Sequence, residues 1–111
     1  MPEGLGELLT RLHTDYKLPL YVTESGCAYP EHPDDPRRIE YLAGHIAALE
    51  SVRAQGVDVR GYFVWSLLDN FEWAEGYSKR FGLVHVDFAS LARTPKASYA
   101  WYRDHIAAAR G

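Results

Sequence analysis

The chain has 111 residues, 47% of them hydrophobic, and a formal net charge of −3 at pH 7. That composition excludes a disordered or low-complexity chain and fits one ordinary domain. The mild acidity gives no footprint for nucleic acid or an anionic membrane, and no apolar run approaches the ~20 residues that span a bilayer.

In chain order, Leu5, Leu8, Leu9 and Leu12 recur at helical spacing, with Pro2 suited to the first turn and Asp15 or Tyr16 near the end. Leu20–Thr23 reads as a short buried strand, introduced by Pro19 and stopped by Ser25–Gly26. Pro30 and Pro33 keep the segment from Cys27 to Asp34 out of a helix. A second helix is expected with Asp35 as N-cap, Pro36 at its first position and the stripe Ile39, Leu42, Ile46, Leu49. Gly56 sits where its C-terminal left-handed residue belongs. Val57–Val59 and Gly61–Trp65 give a second strand. Between Ser66 and Arg80 no period holds, and Gly82–Asp87 reads as a short extended piece. Thr94 and Pro95 are expected to open the last helix, Thr94 as its cap, running through Trp101, Tyr102 and Ile106.

Helices alternating with strands imply an α/β fold with a parallel sheet. Two strands alone leave both edges unpaired and one face bare, so residues 1–111 are expected to belong to a larger α/β architecture. The only cysteine, Cys27, cannot form an internal disulfide, and Met1–Leu5 lacks the charged and apolar regions of a signal peptide. Both point to a cytoplasmic setting, although the N-terminus of an excerpt says nothing about its parent.

Chemistry in strand–helix barrels collects at the carboxyl ends of the strands. Two segments qualify. The first strand ends in Thr23-Glu24-Ser25-Gly26, and the second runs from Trp65 into Leu68-Asp69-Asn70-Phe71-Glu72-Trp73. On position alone Glu24 is either an ordinary loop acid or a catalytic one. Spacing would allow Glu24 and Glu72 to be the paired carboxylates of a glycosidase, but does not require it. His13, His45 and His105 lack metal-ligand spacing and read as surface or packing residues, as do Trp101 and Tyr102. Asp69 and Asn70 are expected to shape the turn after the second strand, and Lys79 and Arg80 to face solvent.

Pro19-Leu20-Tyr21-Val22-Thr23-Glu24-Ser25-Gly26 resembles the strand-seven nucleophile segment of family 1 glycoside hydrolases, usually written with threonine, glutamate, asparagine and glycine. Gly61 to Trp73 is similar throughout to that family's strand-eight signature. Gly76–Leu83, Val86–Asp87 and Arg93–Ser98 resemble its closing segment, and Asp35–Ile39 the start of its seventh helix. The resemblance covers essentially the whole chain. It implies the last two β/α units of a TIM-type (β/α)₈ barrel, incomplete on its own, and a β-glucosidase-like enzyme acting with retention.

Carried over residue by residue, the resemblance implies that Glu24 is the nucleophile that forms a covalent glycosyl-enzyme. Trp65 would floor the subsite of the reacting sugar, Glu72 hold two hydroxyls, Trp73 reach another with its indole N–H, and Phe81 border the ring. Relatives that cleave phosphorylated sugars carry serine at position 72 and tyrosine at position 81, so unphosphorylated β-glucosides or oligosaccharides are the expected substrates. No metal or organic cofactor is implied.

Departures bear on this. Ser25 replaces the usual asparagine, and the loop from Cys27 to Asp35 is shorter than typical. The asparagine-glutamate-proline segment with the acid/base is missing, as are an early glutamine and a histidine-tryptophan pair. The isolated chain is therefore expected to be inactive, to need the remaining barrel segment or self-association, and to be oligomeric, aggregated or molten alone. The rival reading is an inactive barrel fragment that only completes the folding of a separate N-terminal piece.

Overall fold

The computed structural model describes residues 1–30 and 34–111. The order is α1 (Pro2–Tyr16), β1 (Leu20–Ser25), α2 (Pro36–Ala54), β2 (Val59–Val64), a 3-10 turn at Trp73–Glu75, β3 (Val84–Val86), β4 (Arg93–Pro95) and α3 (Ala97–Ala109). Pro33, expected in the loop before α2, lies outside the described residues. Two compact units result: Met1–Ser25 with Tyr41–Val64, and Gly26–Glu40 with Trp65–Gly111.

In the first unit, β1 and β2 pair in parallel, as the alternation of elements requires. Leu9, Leu49, Val52, Val57 and Val59 form a buried cluster, with Leu5, Leu20, Val22 and Tyr62 packed against it. Helix α1 thus contributes Leu5 and Leu9, and α2 contributes Leu49 and Val52, to a core shared with the strand pair. Leu8, read as part of the α1 stripe, is 53% exposed instead. Tyr21 and Phe63 point away from the cluster and are 56% and 57% exposed. Gly56 has φ +101°, the left-handed conformation expected just past α2.

In the second unit, β3 and β4 form an antiparallel pair, Val84 opposite Pro95 and His85 opposite Thr94. Thr94 and Pro95 therefore end a strand and do not open the last helix. The N-cap of α3 is Lys96, whose backbone N–H donates to the Leu83 carbonyl at 2.9 Å. Proline is tolerated at a strand's end, which is why Thr-Pro alone did not separate the two readings. Asp35 does precede the first residue of α2, and its carbonyl accepts from the Arg38 and Ile39 N–H groups. Its carboxylate goes elsewhere: it accepts from the Ser98 N–H at 2.8 Å and the Ser98 hydroxyl, and so caps α3.

Candidate active site

Glu24 is the next-to-last residue of β1 and is exposed. The strand continues through it and Ser25, further than the sequence reading of Leu20–Thr23. The pairing with β2 slips at this point: Val22 lies opposite Tyr62, Ser25 opposite Val64, and β1 carries one residue more than β2 between them. A bulge of this kind releases the strand from strict alternation and re-aims a side chain. Glu24 falls inside it. The Tyr62 hydroxyl donates to the Ser25 Oγ at 2.8 Å, tying down the residue after Glu24.

The other predicted residues lie in the second unit. Trp65 directly follows β2, and its indole N–H donates to Glu72 Oε1 at 3.0 Å. The Glu72 N–H in turn donates to the Gly76 carbonyl at 2.7 Å. Trp73 has φ +46°, a conformation an aromatic residue rarely adopts, and it is 84% exposed. Phe81 is half-buried, and its carbonyl accepts from the N–H of Ser66, the residue after Trp65. The structure thus joins Trp65 to Glu72 by a side-chain bond and sets the Phe81 backbone beside the same stretch. Gly26 is constrained by close approach: a Cβ there would overlap the Trp65 carbonyl oxygen and lie 3.0 Å from its carbon.

Buried charges hold these loops. Asp69 accepts from Arg80 Nη1 at 2.7 Å, Lys96 Nζ at 3.0 Å, the Gly82 N–H at 3.0 Å and the Val86 N–H at 3.3 Å. Burial pushes the Asp69 carboxyl up, but the hydrogen bonds from Arg80 and Lys96 outweigh it and hold it below the usual carboxylate range. Burial and the nearby Arg38 guanidinium pull the Lys96 ammonium down, while Asp69 pulls it back up. Arg80, expected in solvent, instead spans Asp69 and the Phe88 ring, 4.4 Å from its centroid. Asn70 donates to the Ser66 Oγ and the Leu68 carbonyl, as expected of a turn-shaping residue.

Arg38 is 1% exposed and binds Asp35 at 2.7 Å, the Cys27 carbonyl at 3.3 Å and the Arg80 carbonyl at 2.8 Å. It fastens the loop that follows β1 to the segment carrying Phe81. Sequence reasoning missed Arg38 and Lys96, although a signal was present. Both are cations at helix N-termini, where the dipole disfavours positive charge.

His45 and His105 stack on Tyr41 and Trp101 within their own helices. Among the described residues no group of three or more His, Cys, Asp or Glu could hold a metal ion, and no helix is long and apolar enough to cross a membrane.

Parallel strands alternating with helices, with a carboxylate at one strand's exit and a tryptophan–glutamate pair after the next, form part of an α/β strand–helix architecture. The family is shown directly: the model of glycosyl hydrolase family 1 matches residues 1–110, and the chain belongs to that family. It is 49% identical to the Bifunctional beta-D-glucosidase/beta-D-fucosidase of Bifidobacterium breve, covering 96% of this chain and 25% of that protein. The psychrophilic beta-glucosidase BglU from Micrococcus antarcticus superposes with a TM-score of 0.94 at 52% identity, over 97% of this chain and 25% of that one. Beta-glucosidase from Thermotoga maritima, in complex with glucoimidazole, gives 0.93 at 44% identity, over 96% and 26%. The chain therefore spans about a quarter of the length of these TIM-barrel relatives.

Proposed function

We propose that this chain supplies the nucleophile and part of the sugar site of a retaining β-glycosidase, with β1 and β2 as the seventh and eighth strands of its barrel. The observation that carries the reading is the placement of Glu24, an exposed carboxylate in a bulge at the carboxyl end of a parallel strand. That is where chemistry gathers in this architecture.

In this reading Glu24 attacks the anomeric carbon as the bond to the departing oxygen breaks. A glutamate from the remaining barrel protonates that oxygen and later takes a proton from the water that releases the sugar. Two displacements at one carbon return the original configuration, and the chemistry needs no cofactor. Trp65 offers its ring face to the sugar. Its N–H holds Glu72, leaving the rest of that carboxylate to accept hydroxyls. Phe81 borders the ring, and the exposed Trp73 indole provides one further donor. A carboxylate at position 72 disfavours phosphorylated sugars: two unit charges ~4 Å apart at an effective dielectric near 20 repel by about 4 kcal/mol. The favoured substrates are unphosphorylated β-glucosides, with fucosides or galactosides as side activities.

The chain alone is expected to be inactive, and the open Tyr21 and Phe63 face to drive self-association. Sedimentation should show concentration-dependent association, and a compact monomer with cooperative unfolding would contradict this. The functional test uses a full barrel in which this chain replaces the corresponding quarter of the Thermotoga maritima enzyme. A 2-deoxy-2-fluoro-β-glucoside with a good leaving group should accumulate as a covalent adduct, because the fluorine slows its release. Peptide mass analysis should place the adduct on Glu24; an adduct on another residue overturns the reading.

A further inference from the structure

We infer that Tyr62 and Ser25 are a positioning pair that sets the aim of Glu24 across the bulge in β1. The inference rests on the reading of Glu24 as nucleophile.

The bulge solves one problem and creates another. It frees Glu24 from the alternation of the strand, yet it leaves that stretch without a regular register against β2. A nucleophile needs its carboxylate held to within a fraction of an ångström of the reacting carbon, so a loosened strand end costs rate. Tyr62 spans the gap. Its backbone lies opposite Val22 at the near end of the bulge, and its hydroxyl donates to Ser25 at the far end. Its ring packs against the buried cluster of Leu9, Leu49, Val52, Val57 and Val59, so the hydroxyl projects from a fixed base. One residue therefore reaches both ends of the bulge that holds Glu24, through its backbone at one end and its hydroxyl at the other. Ser25 has a short side chain with a single rotatable bond before its oxygen, so holding the hydroxyl also holds the backbone next to Glu24.

The joined barrel tests this through the rate of fluoro-glucoside labelling, measured well below the unfolding temperature of each variant. Tyr62→Phe removes only the hydroxyl and should slow saturated labelling about three- to tenfold, with little change in the concentration giving half-saturation. Ser25→Ala breaks the same bond from its other end and should match that loss, which keeps the test open where Tyr62→Phe does not fold. The double variant should be no slower than either single one. Ser25→Thr keeps the acceptor oxygen and should recover most of the rate. A residue that only stabilises the fold would lower the unfolding temperature and leave the labelling rate alone. Wild-type labelling of Glu24 in both Tyr62→Phe and Ser25→Ala overturns the pairing while the nucleophile reading stands. Labelling of a residue other than Glu24 overturns both.

Discussion

In the unit formed by Met1–Ser25 and Tyr41–Val64, the core cluster is aliphatic: Leu9, Leu49, Val52, Val57 and Val59. The unit formed by Gly26–Glu40 and Trp65–Gly111 buries Leu83, Val84 and Val86 but also Asp35, Arg38, Asp69, Lys96 and Ser98. Regular strands and helices satisfy their own backbone, so the first unit needs little beyond apolar contact. The second carries long loops whose carbonyls and N–H groups must find partners among side chains. Asp69 and Arg38 serve that purpose, each binding more than one segment. Buried polar networks of this sort specify one loop arrangement at some cost in desolvation.

If this contrast is right, the two units should fail differently, and the joined barrel is the material in which to compare them. The largest effect is expected from Asp69→Ala, which leaves Lys96 buried without its carboxylate and strips acceptors from Gly82 and Val86. Breaking a buried pair from one side costs about 3–5 kcal/mol, read by denaturant unfolding. The loss should depend on pH. Because the folded Asp69 carboxyl lies below its ordinary value of 3.8, its contribution is complete above that value and disappears as pH falls through the folded one. The gap between parent and variant should therefore narrow below about pH 4. A gap constant down to about pH 2 would contradict the charged role.

Leu49→Ala in the first unit should cost about 2–5 kcal/mol through lost contact and a cavity. That cost should not change across the same pH range, and a marked pH dependence would break the contrast. Ser98→Ala is the smallest change. It deletes the hydroxyl bond to Asp35 but keeps the backbone N–H cap, so about 1 kcal/mol is expected. A loss as large as that from Asp69→Ala would mean that Asp35 holds the loops more through Ser98 than through Arg38.

The same contrast explains what the sequence made legible. The helices α1 and α2 and the parallel strands announce themselves through apolar spacing and through Pro36 and Gly56, which act locally. Leu8 shows the limit, since a residue can fit a helical stripe and still fall outside the contact. In the second unit Asp35 and Ser98 are 63 residues apart, and so no local pattern reveals that one caps the other's helix. Thr94 and Pro95 suit a cap or a strand end equally, and the pairing with His85 and Val84 decides. At the candidate site, Glu24 at a strand exit and Glu72 in an aromatic loop were visible as residues. The bond from Trp65 to Glu72 and the bond from Tyr62 to Ser25 were not, because each depends on local backbone geometry that spacing does not encode.

The division of labour between the two carboxylates is the central claim, and rescue by a small anion addresses it most directly. In the joined barrel, Glu24→Gly should abolish turnover of an activated aryl β-glucoside and leave a space beneath the anomeric carbon. Added azide should restore turnover and yield the α-glucosyl azide, because one displacement inverts where two retain. Glu72→Ala should keep the nucleophile but lose charge-assisted bonds to the sugar, about one to two orders of magnitude per bond. Azide should not repair it. Rescue of the Glu72 variant with no rescue of the Glu24 variant would show that the roles are reversed.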